Sequence, residues 1–388
     1  MGESKSLQQT KTGMPSQHLP AWIIWTVAGL ALAARLALFP YVSEDSTIYL
    51  LPWMQEFRDH GVSALGAEFS NYNFPYLFLM FLGSLLPIEP LYAIKIVSLA
   101  GDCLLALSVG AVVAQLRPAR LLPEVATVIA LFLPTVLLNA SMWGQCDSIY
   151  TSFLLLSLRS LLRNDGRAAW LWWAVGLSFK LQAVFFFPAL VLIALRNRFS
   201  LALPAMAAGV WALLSSPPIL FGRSLDSTFS VYLHQTQEDR LVAGAANVYT
   251  WFPTASAAEG KVPALVVCGA VLLLTAYSYW QGPDTSETRV LFAITVLAVC
   301  PLLLPQMHDR YFFAAEVTSL LLLDRKKLFI VPWLLAATGL FVYYLYFSSN
   351  RYLWPLLLAS IVQIFAVGTL LRALLRQGNA TSKRLSIV

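Results

Sequence analysis

An acidic, aromatic stretch at residues 41–75 carries the side chains best suited to chemistry in this chain. Glu44 and Asp45 stand at its start, directly after a hydrophobic span, and a carboxylate placed there can act as a general base. The stretch is strongly acidic, with Arg58 as its one arginine. A charged loop of this length beside the first span predicts chemistry at the membrane face. We predict that Asp45, with Glu44 beside it, is the catalytic carboxylate.

The acidic pair also has a structural interpretation. Asp45 or Ser46 could cap a helix over residues 47–57, because Asp and Ser are favoured N-cap residues. The apolar stripe of this helix would lie flat on the bilayer beside the cavity mouth, and it consists of Tyr49, Leu50, Trp53 and Phe57. Capping and catalysis are compatible, so both interpretations stay open.

Three basic side chains are suited to bind a phosphate group. His308 and Arg310 flank Asp309 where one predicted span ends and the next begins, and a guanidinium offers a fork of donors. Lys180 lies within an apolar run, where a lone buried lysine needs an anion or must lose its proton. We predict that Arg310, His308 and Lys180 bind a ligand phosphate. A plain polar turn between two spans is the alternative for residues 308–310.

Further polar residues inside or beside the spans are expected to support this site, since ionisable groups in a membrane are costly and tend to be paired or functional. They are Asp147, Gln145, Lys95, Asp102 and Arg35. Asp147 lies near the outer end of its predicted span. Its candidate partners are Lys95, Lys180 and Arg310.

The other three residues of this group allow more than one role. Lys95 and Asp102 are seven positions apart and so share one face of a helix. For Asp102 we favour a structural network between helices. Arg35, about a turn before the end of the first span, can extend outward to the interface or reach the acidic pair, Glu44 and Asp45.

Aromatic and amide side chains in the two longest loops are candidates for binding an acceptor or closing a lid. In the first loop they are Trp53, Tyr72 and Asn73, and in the loop over residues 222–259 they are His234, Asn247 and Tyr249. A long outer loop with aromatic residues is consistent with a substrate lid. A solvated connector is the equal alternative for residues 222–259.

Composition indicates an all-α protein that crosses a membrane several times. The chain has 388 residues, 58% of them hydrophobic and only 12% charged, whereas soluble domains are about one quarter charged. Lipid-facing backbone must satisfy its own hydrogen bonds, which favours helices. The net charge of +6 lies in short loops and termini, which argues against nucleic acid as a partner. The four cysteines show no metal-binding spacing.

The apolar runs predict a bundle of about 11–13 transmembrane helices. The clearest cover residues 21–40, 91–115, 121–140, 143–162, 200–220, 262–281, 288–306, 311–324, 328–347 and 352–376. Two segments are ambiguous. Residues 74–88 are short for a crossing, and residues 168–195 are long for one span and short for two.

We predict one transmembrane domain, residues 21–376, between a disordered cytoplasmic tail at residues 1–20 and a second cytoplasmic tail at residues 377–388. Its parts are a module at about residues 21–220, an outer lid loop at residues 222–259 and C-terminal helices at residues 262–376. Basic residues favour the cytoplasmic side, which places the acidic loop outside. The favoured topology has residues 74–88 dipping in and returning and residues 168–195 forming a hairpin. The other topology has the first segment crossing and the second as one tilted helix.

Taken together, these motifs resemble those of the GT-C glycosyltransferases, in particular bacterial relatives of the GPI-anchor mannosyltransferases. The resemblance spans residues 41–312. Its pieces are the early loop with Asp45 and Trp53, the segment Tyr72-Asn73-Phe74-Pro75, the segment Trp143-Gly144-Gln145-Cys146-Asp147-Ser148-Ile149-Tyr150, Lys180-Leu181-Gln182, and His308-Asp309-Arg310-Tyr311-Phe312. The chain departs from the related pattern in having Phe74-Pro75 where a double proline is common, and in having Cys146.

This resemblance implies an inverting transfer of a sugar, with mannose or another hexose expected, from a polyprenyl-phosphate donor to a lipid, glycan or protein acceptor. It implies a first-loop carboxylate as base. The expected partners are the donor and membrane lipids, with an unidentified acceptor. The expected location is the plasma membrane, with the site on the extracytoplasmic side. No cofactor is expected, although a divalent cation stays open.

Two other classes of protein share some of these features. A transporter or lipid flippase also contains intramembrane charges and broken helices. A non-catalytic subunit of a membrane assembly is the third possibility. Transfer of a sugar by the isolated chain would separate the enzyme from both.

Overall fold

The apolar runs of the sequence fold into helices that pack against one another. A computed structural model describes residues 20–116, 122–235, 241–254, 256–349 and 353–385, with the side chains of His234, Ala257 and residues 379–385 left out. In chain order the α-helices are α1 (Ala21–Leu38), α2 (Leu51–His60), α3 (Phe74–Ser84), α4 (Pro90–Leu116), α5 (Pro123–Phe132), α6 (Pro134–Leu138), α7 (Asp147–Leu162), α8 (Gly166–Phe179), α9 (Phe187–Arg196), α10 (Leu203–Ser215), α11 (Leu225–Phe229), α12 (Val231–Gln235), α13 (Ala257–Gln281), α14 (Ser286–Leu303), α15 (Phe313–Ser319), α16 (Ile330–Phe347) and α17 (Leu353–Leu385).

Shorter elements join these helices. The π-helical turns are Ser46–Leu50 and Asn139–Trp143; the 3₁₀ turns are Gly61–Gly66, Leu181–Phe186, Pro217–Phe221, Val248–Trp251 and Leu320–Leu322; the two strands are β1 (Val242–Ala243) and β2 (Met307–His308). The strands pair in parallel. The predicted all-α class is confirmed, with this one short ladder as the strand content of the described residues.

Seven helices in the described part of the chain are long and apolar enough to cross a membrane: α1, α4, α10 with the 3₁₀ turn after it, α13, α14, α16 and α17. An eighth span arises if α5 and the segment Pro134–Trp143 are counted as one, although they bend by 51°. The bend falls at Pro134, whose ring disfavours helical backbone at Leu133. The remaining predicted spans are shorter helices, so length and composition alone support fewer crossings than the predicted 11–13.

Lys95 fixes the relative direction of α1 and α4. Its Nζ donates to the carbonyl oxygens of Phe39, at 2.7 Å, and Tyr41, just past the end of α1. Two turns further along α4, Asp102 binds Arg35, which lies one turn before the end of α1. The two helices are therefore antiparallel, and α1 ends at the face of the bundle where α4 begins.

This geometry bears on the shorter ambiguous segment, residues 74–88. Because α1 ends and α4 starts at one face, residues 39–89 between them do not pass to the opposite face. The helix α3 packs on α2 and on the start of α4. Residues 74–88 therefore do not carry the chain to the opposite face, which excludes the crossing alternative; that they dip into the membrane stays a prediction.

The longer ambiguous segment is a hairpin. Trp170 and Trp173 of α8 lie against Phe187 at the start of α9, with ring centroids 6.0 and 5.0 Å apart. In a straight helix, residues this far apart in sequence would be separated by about 21–26 Å. The chain turns at Lys180, whose extended backbone ends α8. The alternative of a single tilted helix is wrong.

The core lies where α4, α7, α8 and α14 pack together, and α14 is the most deeply buried of the seven long helices. α1 is the least buried and leaves most of its side chains exposed on the outside of the bundle. A smaller apolar cluster joins α2, α3 and the start of α4. The loops that follow α1, α6, α8 and α14 contribute to one cavity at a single face of the bundle.

The amphipathic helix of the first loop differs from the prediction in what covers it. Leu50, Trp53 and Phe57 are buried in the smaller apolar cluster, against α3 and α4. Tyr49 is 45% exposed and lines the cavity. The stripe therefore does not lie flat on the bilayer, because the chain's own helices cover its apolar side.

The two ends of the chain were both predicted to be cytoplasmic tails, and the structure describes much of the second but little of the first. The predicted tail at residues 1–20 lies outside the described residues except for Pro20. The last helix, α17, continues through Leu385, beyond the predicted boundary at residue 376. The start of the predicted C-terminal tail is thus a continuation of the last helix.

Candidate active site

Asp45 is held by three donors that all bind the same carboxylate oxygen. Its Oδ2 accepts hydrogen bonds from Trp143 Nε1 at 2.9 Å, Gln145 Nε2 at 2.9 Å and Arg310 Nη1 at 3.1 Å. Its backbone N–H donates to the hydroxyl of Tyr346 at 3.1 Å. Three bonds to one oxygen fix the side chain in a single orientation. The other oxygen, Oδ1, takes part in none of them, and the residue lines the cavity.

A left-handed glycine lets two neighbouring side chains reach Asp45. Gly144 has a φ of 77°, a conformation that residues with a Cβ rarely adopt. A Cβ there would also lie 3.3 Å from the Ile94 side chain. The turn aims Trp143, before it, and Gln145, after it, at one oxygen of Asp45.

The capping interpretation of Asp45 is not what the structure shows. The helical turn that contains Asp45 begins at residue 44 and is capped by Ser43. The Oγ of Ser43 accepts a hydrogen bond from the backbone N–H of Ser46 at 3.1 Å. The hydroxyl of Ser46 donates to the carbonyl of Trp143. The carboxylate of Asp45 makes no cap hydrogen bond and is available for other contacts.

A second carboxylate, Asp147, links the two predicted cations. Its Oδ1 lies 2.5 Å from Lys180 Nζ, and its Oδ2 lies 3.7 Å from Arg310 Nε. Asn139 Nδ2 donates to the same Oδ2 at 2.9 Å. Two of the three predicted partners of Asp147 are therefore present, whereas Lys95 binds the end of α1 instead.

The turn that carries Arg310 concentrates charge in a buried place. Burial raises the pKa of Asp309 to about 6, although the charges of Arg310 and His308 act against this rise. Burial also disfavours the charged form of Arg310, but Asp45 and the other anionic neighbours outweigh it and hold the pKa of Arg310 well above its usual range. Arg310 is therefore a permanent cation beside Asp45.

The two-residue strands hold this turn against the loop over residues 241–245. Ala243 pairs with His308, and the N–H of Ala245 donates to Met307 O at 3.1 Å. A strand pair of this length is weak alone, so packing of both loops on α14 must contribute. The pairing places His308 in the cavity wall next to Arg310.

The cavity over these groups has a volume of about 1230 Å³, somewhat above the usual range for small-molecule sites. Its polar wall contains Glu44, Asp45, Tyr72, Asn73, Gln145, Lys180, Gln182, His308 and Arg310. Another wall is apolar and comes from α13, α16 and α17, with Leu265, Val342, Leu345, Leu353 and Leu356. The cavity thus joins a charged floor to a hydrocarbon surface.

The aromatic candidates of the first loop lie at this cavity. Tyr72 donates from its hydroxyl to Gln145 Oε1 at 3.3 Å, and burial raises its pKa well above the usual range. Asn73 Nδ2 donates to Ser215 Oγ at 2.8 Å. Trp53 lies against Tyr72, with ring centroids 5.5 Å apart.

Other predicted residues lie elsewhere. Arg35 binds Asp102 at 2.9 Å, in a pair buried from solvent, and reaches neither Glu44 nor Asp45. Asp102 also accepts from Ser148 Oγ at 2.6 Å, so this pair joins three helices. Arg35 was predicted either to extend outward or to bind the acidic pair; it does neither, because α4 brings a carboxylate to it.

The lid candidates of the second loop do not line the cavity. Asn247 is buried and donates to the carbonyls of Pro301 and Leu304, and Tyr249 donates to Leu303 O at 2.7 Å. Both tie the loop to the end of α14. The side chain of His234 is outside the described set.

Sequence reasoning missed three residues that hold the site. Trp143 belongs to a segment that the sequence singled out, and its indole binds Asp45 and stacks on Tyr346 at 3.9 Å. Tyr346 carries no sequence signal, since it lies in an ordinary apolar span. Asn139 precedes the Trp143 segment and bridges Asp147 to the hydroxyl of Tyr343.

Among the described residues, no group of three or more His, Cys, Asp or Glu side chains is arranged to hold a metal ion. The expectation of a metal-free site stays a prediction. Comparison with known protein families and with curated proteins finds no match to this sequence. The fold defines a multi-pass, all-helical membrane protein with a charged cavity at one face.

Proposed function

We propose that this protein is a membrane glycosyltransferase of the GT-C type. It moves a hexose, with mannose as the first candidate, from a polyprenyl-phosphate donor to an acceptor hydroxyl. One observation carries the proposal: a carboxylate held in one orientation shares a large cavity with three basic side chains, and an apolar wall adjoins them. The base is Asp45, and the basic groups are Arg310, Lys180 and His308.

Asp45 is the proposed general base. Its Oδ2 is occupied by three donors, which leaves Oδ1 to accept the proton of the acceptor hydroxyl. The hydroxyl oxygen then bonds to the anomeric carbon of the sugar. The bond from that carbon to the phosphate oxygen breaks, and its electron pair leaves with the phosphate. A single displacement of this kind inverts the anomeric centre.

The leaving phosphate needs cations that are already in place. Arg310 and Lys180 are both tied to Asp147, which restrains them near each other without substrate. Preorganised cations stabilise developing negative charge without reorganisation, which is a large source of catalysis. His308, in the adjacent wall, is a third donor to the phosphate.

The apolar wall favours a lipid-linked donor over a soluble one. Leu265 on α13 and Leu356 on α17 both line the cavity. Leu265 is 57% exposed and Leu356 is half-buried, so the apolar wall continues towards the outer surface of these two helices. A polyprenyl chain placed along this wall would put its phosphate at the charged floor. A water-soluble nucleotide sugar gains nothing from such a wall.

The membrane topology is part of the proposal. Counting the broken span and the shorter helices α7, α8, α9 and α15 as crossings, but not α3, brings the bundle into the range of about 11–13 expected for a GT-C protein. The cavity face is assigned to the extracytoplasmic side of the plasma membrane. The basic loops that support this orientation include residues 117–121, which lie outside the described part of the chain.

The test is sugar transfer by the purified protein from polyprenyl-phosphate mannose and polyprenyl-phosphate glucose to a mixed pool of membrane acceptors. Wild-type protein should transfer sugar, and Asp45→Asn should lower kcat at least about 100-fold, because the base is lost while the shape is kept. Asp59→Asn is the matched control, because Asp59 lies exposed on α2, away from the cavity, and accepts a hydrogen bond from Gln55.

Two results would contradict the proposal. One is full activity of Asp45→Asn with an unchanged unfolding temperature, which would remove Asp45 as base and turn attention to Glu44. The other is absence of transfer from every donor together with uptake of a substrate by proteoliposomes, which would identify a transporter.

A further inference from the structure

Gln182 is a cavity residue with an unsatisfied hydrogen-bond acceptor. It is 4% exposed and lies in the wall of the cavity, two residues after Lys180. Its Oε1 is buried and has no hydrogen-bond partner in the described part of the chain. A buried carbonyl oxygen without a donor is costly, and such atoms are rare in folded proteins. A ligand that supplies a donor would remove that cost.

Other amide side chains at the cavity are already engaged. Gln145 binds Asp45 through Nε2 and receives the Tyr72 hydroxyl at Oε1. Gln235 donates to Asn71 O. Gln182 therefore differs from Gln145, whose acceptor oxygen receives a hydrogen bond, in having a buried acceptor oxygen that no donor of the described residues reaches.

The backbone around Gln182 is held firmly, so the side chain is presented from a fixed place. Lys180 is extended and ends α8, and the N–H of Ala183 donates to Lys180 O at 3.2 Å. Trp173 Nε1 donates to Ala183 O at 2.9 Å. These bonds attach the 3₁₀ turn that carries Gln182 to the preceding helix.

We infer that Gln182 binds a hydroxyl group of the donor sugar and helps to select it. This inference rests on the proposed function. Among the parts of a polyprenyl-phosphate sugar, only the sugar offers hydrogen-bond donors, because an ionised phosphodiester and a hydrocarbon chain offer none. The Oε1 atom needs a donor, and Lys180, a proposed phosphate ligand, lies two residues away. The sugar next to the phosphate is therefore the part within reach.

Gln182 also gives a basis for discrimination. A site built to hydrogen-bond a substrate hydroxyl rejects analogues without it, since a buried polar group is then left unsatisfied. Donors that lack the contacted hydroxyl, or carry fluorine in its place, should bind more weakly to the wild-type protein. The variant that lacks the amide should not distinguish them from the parent sugar.

The test compares Gln182→Met with wild type in binding to polyprenyl phosphate with and without a sugar. Methionine keeps the length of the side chain and removes both polar atoms. We expect about 10- to 100-fold weaker binding of polyprenyl-phosphate mannose or glucose. Binding of sugar-free polyprenyl phosphate should change less than about twofold.

Gln363→Met is the matched control. Gln363 is also buried, on α17, and its Oε1 also lacks a hydrogen-bond partner among the described residues, but it does not line the cavity. Its variant should bind both lipids as wild type does. An unfolding temperature for each variant shows that the fold is kept.

The inference is overturned if Gln182→Met binds the sugar-bearing lipid as tightly as wild type, or loses both lipids equally. It is also overturned if wild type binds the two lipids equally. Sugar-dependent binding without any transfer would contradict the glycosyltransferase proposal while leaving Gln182 as a sugar-binding residue. The two failures are therefore distinguishable.

Discussion

Asp45 and Arg310 lie 265 positions apart in the chain, yet their side chains are 3.1 Å from each other. Each was singled out from the sequence for its residue type and its place at the end of an apolar run. Their roles as base and phosphate ligand stay predictions. What the sequence did not reveal is that Arg310 binds Asp45 directly, so that one guanidinium orients this carboxylate and also lines the cavity.

Removing Arg310 should impair transfer strongly. Arg310→Ala should lower kcat/KM about 100- to 1000-fold, because it removes an oriented cation at the leaving phosphate. Arg310→Lys should recover only part of the rate, since lysine lacks the guanidinium fork. Steady-state kinetics of sugar transfer measure both effects.

Arg58→Ala is the control for these variants. Arg58 is exposed and donates to backbone carbonyls in the turn after α3, outside the large cavity. Its loss should leave kcat/KM near the wild-type value. Unchanged kinetics in Arg310→Ala would reduce the turn at residues 308–310 to a structural role.

Asp309 should make stability depend on pH. Its pKa is about 6 in the folded protein against an ordinary 3.8, so between these values the folded state keeps a proton that the unfolded state releases. Stability from this group is therefore full below about pH 4 and is lost as the pH rises to 6. Between pH 4 and pH 7.5 the free energy of unfolding of wild type should therefore fall by about 1–3 kcal/mol through this group, and Asp309→Asn should not show that fall.

The measurement is the unfolding temperature of detergent-solubilised protein between pH 4 and pH 7.5. The control is Asp226→Asn, an exposed carboxylate on α11. The groups facing Asp309 are Arg310, His308 and Asp45. A wild-type pH profile that Asp309→Asn leaves unaltered would show that Asp309 does not titrate in this range.

At the scale of elements, breaks in helices position the site. The π-helical turn at Asn139–Trp143 and the left-handed Gly144 end the broken span, and the extended Lys180 ends α8. Non-helical backbone inside a membrane protein is tolerated where it is buried in protein or lines a cavity, because its polar groups can then be satisfied. The breaks at Gly144 and Lys180 both lie beside the cavity.

The pair Arg35–Asp102 should be structural, and its test is a double substitution. Arg35→Met leaves the buried Asp102 carboxylate without its cation and should cost about 3–5 kcal/mol of unfolding free energy. Adding Asp102→Asn should recover most of that loss, because the charge is removed while an acceptor for Ser148 is kept.

Denaturant unfolding of the single and double variants measures the recovery. Sugar transfer by the double variant should stay near wild type, since neither residue lines the cavity. A stable double variant without activity would give the pair a role in the reaction. If the double variant is no more stable than Arg35→Met, the loss of stability in Arg35→Met is not caused by the unpaired charge of Asp102.

At the scale of the whole molecule, all cavity-lining loops meet at one face. The contacts of Lys95 place the end of α1 and the start of α4 at this face. The turn of the hairpin formed by α8 and α9, at Lys180, lies at the same face. The short turn between α13 and α14 lies at the other end of those helices. The described residues therefore form one face that carries the cavity, and the short turn between α13 and α14 lies at the opposite face.

Cysteine labelling should distinguish these two faces. Ser63→Cys, in the exposed 3₁₀ turn after α2, should react with an impermeant maleimide on intact cells. Ser286→Cys, at the exposed start of α14, should react only after the membrane is opened. Wild-type protein, which contains Cys103 at a helix surface, is the background control. The reverse pattern would place the cavity in the cytoplasm.

The sequence by itself determined that this chain is helical and embedded in a membrane, because continuous apolar runs leave the backbone no other way to satisfy its hydrogen bonds. It also placed most long helices to within a few residues, as α4 and α16 show. It named both ends of the Asp45–Arg310 contact from residue type and position.

Only the tertiary structure decided which polar groups meet. The sequence offered Asp147 three cations, and packing chose Lys180 and Arg310 while Lys95 went to the end of α1. The same holds for the first-loop helix, whose apolar stripe could have faced lipid or protein. Pairings of this kind depend on the relative rotation and depth of helices, which a one-dimensional hydropathy pattern does not contain.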